Sequence, residues 1–117
     1  MIRRHTISFK HAFDGLVYSF TRHPNLRVHL VAAILTIFAG IYFSLGLIEW
    51  IILAFTISLV FITEMINTSI ESMVDLITQE HHQSAKIAKD VSAGMVLLTS
   101  TLAVIVGIII FAPKFFN

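Results

Sequence analysis

The sequence predicts an all-α integral membrane protein: three transmembrane helices preceded by an N-terminal amphipathic surface helix. Three observations predict it. The 117 residues are 56% hydrophobic and only 13% charged, too apolar for an ordinary soluble chain and sufficient for one domain. Leu30 to Ile48, Trp50 to Thr63 and Val91 to Ala112 carry no charge, and a span needs about 20 mostly apolar residues. The basic residues are also unevenly placed. Arg3, Arg4, Lys10, Arg22 and Arg27 precede the first run, Lys86 and Lys89 lie between the second and third, and Lys114 alone follows. A cytoplasmic N-terminus puts seven of the eight basic residues inside, as the positive-inside rule prefers. The expected topology is multi-pass, N-in and C-out.

Residues 1–25 form the surface helix. Ile7, Phe9, Phe13, Leu16, Val17 and Phe20 recur at three- and four-residue intervals, with Lys10, His11 and Asp14 between them. The basic residues suit anionic headgroups. No cleavable signal is expected, because this stretch is polar and basic. Pro24 breaks or starts a helix, and Asn25 is a candidate cap for the next one, so a bend is expected over 21–25.

The first span is expected at 28–47. A turn around Gly46 to Glu49 follows, with Trp50 as an interfacial anchor. The second span, 48–78, reaches full length only by continuing into an acidic segment. A polar loop from Thr78 to Ala85 leads to the third span, 86–112, where Ala93, Gly94, Ser100, Ala103 and Gly107 allow close helix packing.

The acidic segment reads Glu-Met-Ile-Asn-Thr-Ser-Ile-Glu-Ser-Met-Val-Asp from Glu64 to Asp75. At 100° per residue, Asn67, Glu71 and Asp75 fall at about 300°, 340° and 20° from Glu64, so all four share one face. A carboxylate at bilayer depth costs about 2.5 to 3.5 kcal/mol, which makes such residues functional candidates. Glu64 lies towards the inner edge of the membrane and Asp75 about 16 Å further on, by the helical rise. The face therefore runs from lipid to cytosol.

Carboxylates with a nearby lysine and a cytosolic loop suit a divalent cation and polyphosphate, since hard cations take oxygen ligands and leave positions for phosphates. The glycines form no P-loop, and neither HExxH spacing nor a nucleophile elbow occurs. Absence of cysteine excludes disulfides, thiolate metal sites and a cysteine nucleophile. Asn67-Thr68-Ser69 matches a glycosylation sequon, but its place within a helix on the cytoplasmic side makes the match accidental. His81 and His82 are either metal ligands or solvated turn residues. A different class of reading takes the acids as hydrogen-bonding glue or a relay in a noncatalytic bundle or ion pathway.

Glu64 to Asp75, followed by Ala88-Lys89-Asp90-Val-Ser-Ala93-Gly-Met-Val, resembles the prokaryotic diacylglycerol kinase family. The likeness extends to Phe9-Lys-His-Ala-Phe-Asp-Gly15-Leu and Asn25-Leu-Arg-Val-His29. Together with Ile48-Glu49-Trp50 and Phe111-Ala-Pro113-Lys114, the latter looks more like the undecaprenol kinase branch of Gram-positive bacteria. The resemblance implies a homotrimeric enzyme of the bacterial inner membrane. Such an enzyme moves the γ-phosphoryl of ATP, with Mg2+, to a lipid hydroxyl: undecaprenol first, diacylglycerol second. No nucleic-acid partner is expected.

By position, the resemblance implies Glu64 as general base and Glu71 as ligand of the nucleotide-associated metal. Asn67 and Asp75 organise the site, and Lys89 and Asp90 contact the nucleotide. Glu80, His81 and His82 form a loop beside ATP, and Arg4 and His11 add N-terminal nucleotide contacts. One position departs from the pattern. His23 stands where the family commonly has a metal-binding glutamate, and an imidazole cannot bring the same negative charge to magnesium. Either Glu71 and phosphate carry more of the coordination, or the register near the bend shifts; His23 itself is the other candidate ligand.

Overall fold

The computed structural model describes the backbone of residues 2–117 and the side chains of residues 6–117. Four helices follow in order: α1 (Ile2–Arg22), α2 (Pro24–Tyr42), α3 (Leu47–Ile77) and α4 (Gln83–Phe115), with no strand among the described residues. Three of them, α2, α3 and α4, are long and apolar enough to cross a membrane. The protein is an all-α integral membrane protein.

His23 separates α1 from α2 with extended backbone, φ −113° and ψ 110°. Proline requires this, because its ring disfavours the helical region for the preceding residue. Pro24 itself opens α2, where its missing N–H removes no helical bond. The N-cap is thus His23, which makes no side-chain capping bond. The expected cap Asn25 lies inside the first turn instead.

Helix α2 ends at Tyr42, five residues before the expected boundary at 47. Ser44 takes a left-handed conformation, φ 54°, and Leu45 N–H bonds back to Gly40 O at 3.1 Å. The turn therefore occupies 43–46 and not the Gly46 to Glu49 stretch. Gly40 permits a close approach here. A Cβ at that position would lie 2.6 Å from the Trp50 ring. Trp50 packs against the cluster of Leu45, Leu53 and Ile110, so it is an inter-helix packing residue.

Helices α3 and α4 form the main antiparallel hairpin, α2 packs on α3, and α1 packs on α2. With 31 residues, α3 is about 46 Å long by its rise, more than a hydrocarbon core of about 30 Å. Ion pairs mark both ends of the hairpin. Lys114 meets Glu49 at 3.3 Å at one end, and Lys89 meets Asp75 at 2.7 Å at the other. Glu49 and Asp75 are about 39 Å apart along α3. The connection between α3 and α4 is residues 78–82, shorter than the expected loop because α4 already begins at Gln83.

Candidate active site

The acidic face of α3 lies along its groove with α2 and α4. Glu64 is buried, 4% exposed, and its Oε1 lies 3.1 Å from His29 Nε2 of α2. One turn on, Asn67 accepts a 2.7 Å hydrogen bond from Ser92 Oγ of α4 at its Oδ1 and donates to Glu71 Oε1 at 3.3 Å. Ser92 is completely buried. Glu71 is half-buried and Asp75 exposed, where it accepts a 2.7 Å bond from Lys89 Nζ. The stripe grades from buried to exposed, and each member contacts a different polar partner.

Two cavities flank this ladder at different depths. The deeper, about 420 Å³, is lined by His29, Glu64, Asn67, Val96, Leu97 and Ser100, among others. The other, about 380 Å³, lies at the α3–α4 connection and is lined by Asp75, Glu80, His81, His82, Lys89 and Asp90 among others. A larger cavity of about 920 Å³ opens beside the same connection, with Glu80 and His82 shared. Within this group Glu80 lies 3.7 Å from His82 Nε2, and Asp90 pairs with Lys86.

The structure thus gathers Glu64 and Asn67 at one cavity, and Asp75, Glu80, His81, His82, Lys89 and Asp90 at the other. Glu71 lies between them on the same face. His11 is exposed on α1, and Arg4 lies outside the described side chains. His23 sits at the α1–α2 break, its ring edge against Tyr18 at 6.0 Å between centroids. Its buried Nε2 lacks a hydrogen-bond partner among the described residues.

Three polar residues of this region had no assigned site role in the sequence, Ser100 being read there only as a small packing residue. His29 pairs with Glu64, Ser92 holds Asn67, and Ser100 lines the deeper cavity. Their common signal is a polar side chain at lipid depth, where each needs a partner. Sequence spacing identifies such a residue but not its partner on another helix.

No three His, Cys, Asp or Glu side chains converge as a metal cage among the described residues. The carboxylates present nevertheless suit magnesium, which is commonly held by one or two carboxylates and the substrate phosphates. His23 offers nitrogen in place of the oxygen that magnesium prefers.

A buried carboxylate in a cavity among the apolar helices and a charged cavity at the α3–α4 connection suit a class of protein, a membrane enzyme acting on an apolar and a polar substrate. The comparisons give the class its family. A sequence profile of prokaryotic diacylglycerol kinase matches residues 10–111. Undecaprenol kinase of Bacillus subtilis is 40% identical over 107 residues, covering 92% of this chain and 87% of that one. Diacylglycerol kinase of Synechocystis is 44% identical over 102 residues, 86% of this chain but only 58% of the relative. Diacylglycerol kinase of Escherichia coli K12 is 30% identical over 95 residues, covering 81% and 78%.

The chain belongs to the prokaryotic diacylglycerol kinase family. It is a membrane lipid kinase, a phosphotransferase with an alcohol acceptor. The reading of the chain as a noncatalytic bundle or ion pathway is thereby set aside.

Proposed function

We propose that this protein is an ATP- and magnesium-dependent undecaprenol kinase of the bacterial cytoplasmic membrane. Residues 1–117 form one catalytic domain, with a cytoplasmic N-terminus and three subunits to the assembly. The observation that carries the reading is the ladder joining a Glu64 cavity at lipid depth to an Asp75–Lys89 cavity at the membrane edge. His29 also borders a second, small cavity whose other walls are Ala32, Ala33, Ile57, Val60, Phe61 and Ala103, with Thr36 as a further polar residue. Such walls suit an alcohol whose next carbons are hydrocarbon. The similarity to the Bacillus subtilis undecaprenol kinase over most of both chains supports the same acceptor.

Glu64 takes the proton of the lipid hydroxyl as the oxygen forms its bond to the γ-phosphorus. The bond from that phosphorus to the β–γ bridging oxygen breaks, and ADP leaves with the electron pair. Lys89 faces the phosphates, Asp75 holds Lys89, and Asn67 orients Glu71. Asp90, Glu80, His81 and His82 border the nucleotide; Arg4 and His11 are assigned nucleotide contacts by family resemblance alone. Glu71 would hold Mg2+, which neutralises phosphate charge when bound. Positioning and electrostatics account for most of the rate in such transfer, with base assistance secondary. His23 takes no charge-neutralising role in this scheme, so Glu71 and phosphate carry the coordination.

Diacylglycerol is the second acceptor, favoured by the name and identity of the Synechocystis relative. Purified protein supplied with γ-labelled ATP, magnesium and each lipid in parallel tests the order. Label in undecaprenol is expected; a strong preference for diacylglycerol reverses the assignment. Glu64→Gln and Glu71→Gln are each expected to lose activity, and normal turnover in both overturns the site. Crosslinking in membranes checks the three-subunit assembly.

A further inference from the structure

Hydroxyls in membrane helices ordinarily donate to a carbonyl one turn back, because hydrocarbon offers no water. Thr36, Thr56 and Thr101 do so here, to Ala32 O, Ile52 O and Leu97 O at 2.7–2.8 Å. Ser100 does not. Its Oγ is buried without a hydrogen-bond partner among the described residues. Leaving a buried polar group unsatisfied costs about 1–3 kcal/mol, and this one lines the cavity that contains Glu64.

The register between α3 and α4 sets its depth. Thr63 Oγ1 and Thr99 Oγ1 are 2.8 Å apart, locking these residues at one level. Because the helices are antiparallel, Glu64 lies one step to one side of that level and Ser100 one step to the other. At 1.5 Å per residue they differ by about 3 Å along the helix axis. A single hydroxyl entering the cavity meets a carboxylate and an unused hydroxyl at nearly the same depth.

We propose that Ser100 is a binding residue for the acceptor alcohol, donating a hydrogen bond to the oxygen that Glu64 deprotonates. An alcohol oxygen has one proton, directed to Glu64, and two lone pairs. Ser100 engages one lone pair and leaves the other aimed at phosphorus. The ligand class is a primary alcohol carried by a lipid, whichever lipid supplies it. This inference rests on the assignment of Glu64 as proton acceptor.

The test uses full-length protein in detergent micelles containing a polyprenol or a diacylglycerol, with Ser100→Ala and Ser100→Thr beside wild type. Ser100→Ala is expected to raise KM for either alcohol about tenfold, the equivalent of one hydrogen bond near 1.4 kcal/mol. KM for ATP stays unchanged, and threonine restores part of the alcohol affinity. Unchanged kinetics for both alcohols in Ser100→Ala overturn the inference. So does a loss confined to diacylglycerol, which would place Ser100 against an ester carbonyl. A parallel rise in KM for ATP assigns Ser100 a structural role and overturns it too. Wild-type turnover that Glu64→Gln abolishes keeps the proposed function standing when Ser100 fails; retained turnover in Glu64→Gln removes the Glu64 assignment and with it this inference, while the lipid-kinase reading stands on the turnover itself.

Discussion

His29 Nε2 lies 3.1 Å from Glu64 Oε1, and this contact ties α2 to the only buried carboxylate among the described residues. The geometry gives His29 a defined duty. It holds the Glu64 carboxylate in one orientation within the lipid-depth cavity that both residues line.

Replacing His29 with alanine is therefore expected to lower kcat about 10- to 100-fold, the equivalent of a hydrogen bond to a charged group. KM for ATP should not change, because the cavity proposed for the nucleotide, at Asp75 and Lys89, lies about three turns away. His29→Gln keeps a donor and is expected to recover part of the rate. Steady-state kinetics of both variants check this, and equal losses in alanine and glutamine would remove the hydrogen bond as the cause.

Ser92→Ala deprives Asn67 Oδ1 of its 2.7 Å donor at a fully buried position. The unsatisfied amide is expected to cost about 1–3 kcal/mol of stability. Thermal unfolding in detergent should show a lower midpoint. If Glu71 holds magnesium as proposed, the magnesium concentration for half-maximal activity should rise as well, because Asn67 also donates to Glu71.

Lys89→Met removes the partner of Asp75 at an exposed end of the hairpin. Exposed ion pairs contribute little to stability and are screened by salt, so the unfolding midpoint should stay near wild type. KM for ATP should rise at least about tenfold, by the loss of a charge-assisted contact to phosphate. A fall in stability without a change in KM would assign Lys89 to packing.

Gly40→Ala places a methyl group 2.6 Å from the Trp50 ring. Overpacking at a well-filled contact is expected to cost about 1–3 kcal/mol. The double variant Gly40→Ala with Trp50→Leu should recover most of the loss, as read by thermal unfolding. Additive losses would place the strain elsewhere.

Much of the fold was legible because membrane insertion constrains composition and length directly. The three uncharged runs gave the spans, and Pro24 gave the break at His23. The end of the first span was not legible. Residues 43–46 are as apolar as the helix before them, and the turn depends on the Ser44 conformation and on Trp50 lying against Gly40.

The sequence by itself determined the acidic face, because four residues at helical spacing share a side in any straight helix. It also determined that the face is costly in lipid and grades towards charge. Only the tertiary structure decided which helix meets each member: α2 through His29 at Glu64, α4 through Ser92 at Asn67 and through Lys89 at Asp75. The physical reason is that periodicity acts within one helix. The partner of a buried polar group is set by the register between helices, which packing at contacts such as Thr63 with Thr99 establishes.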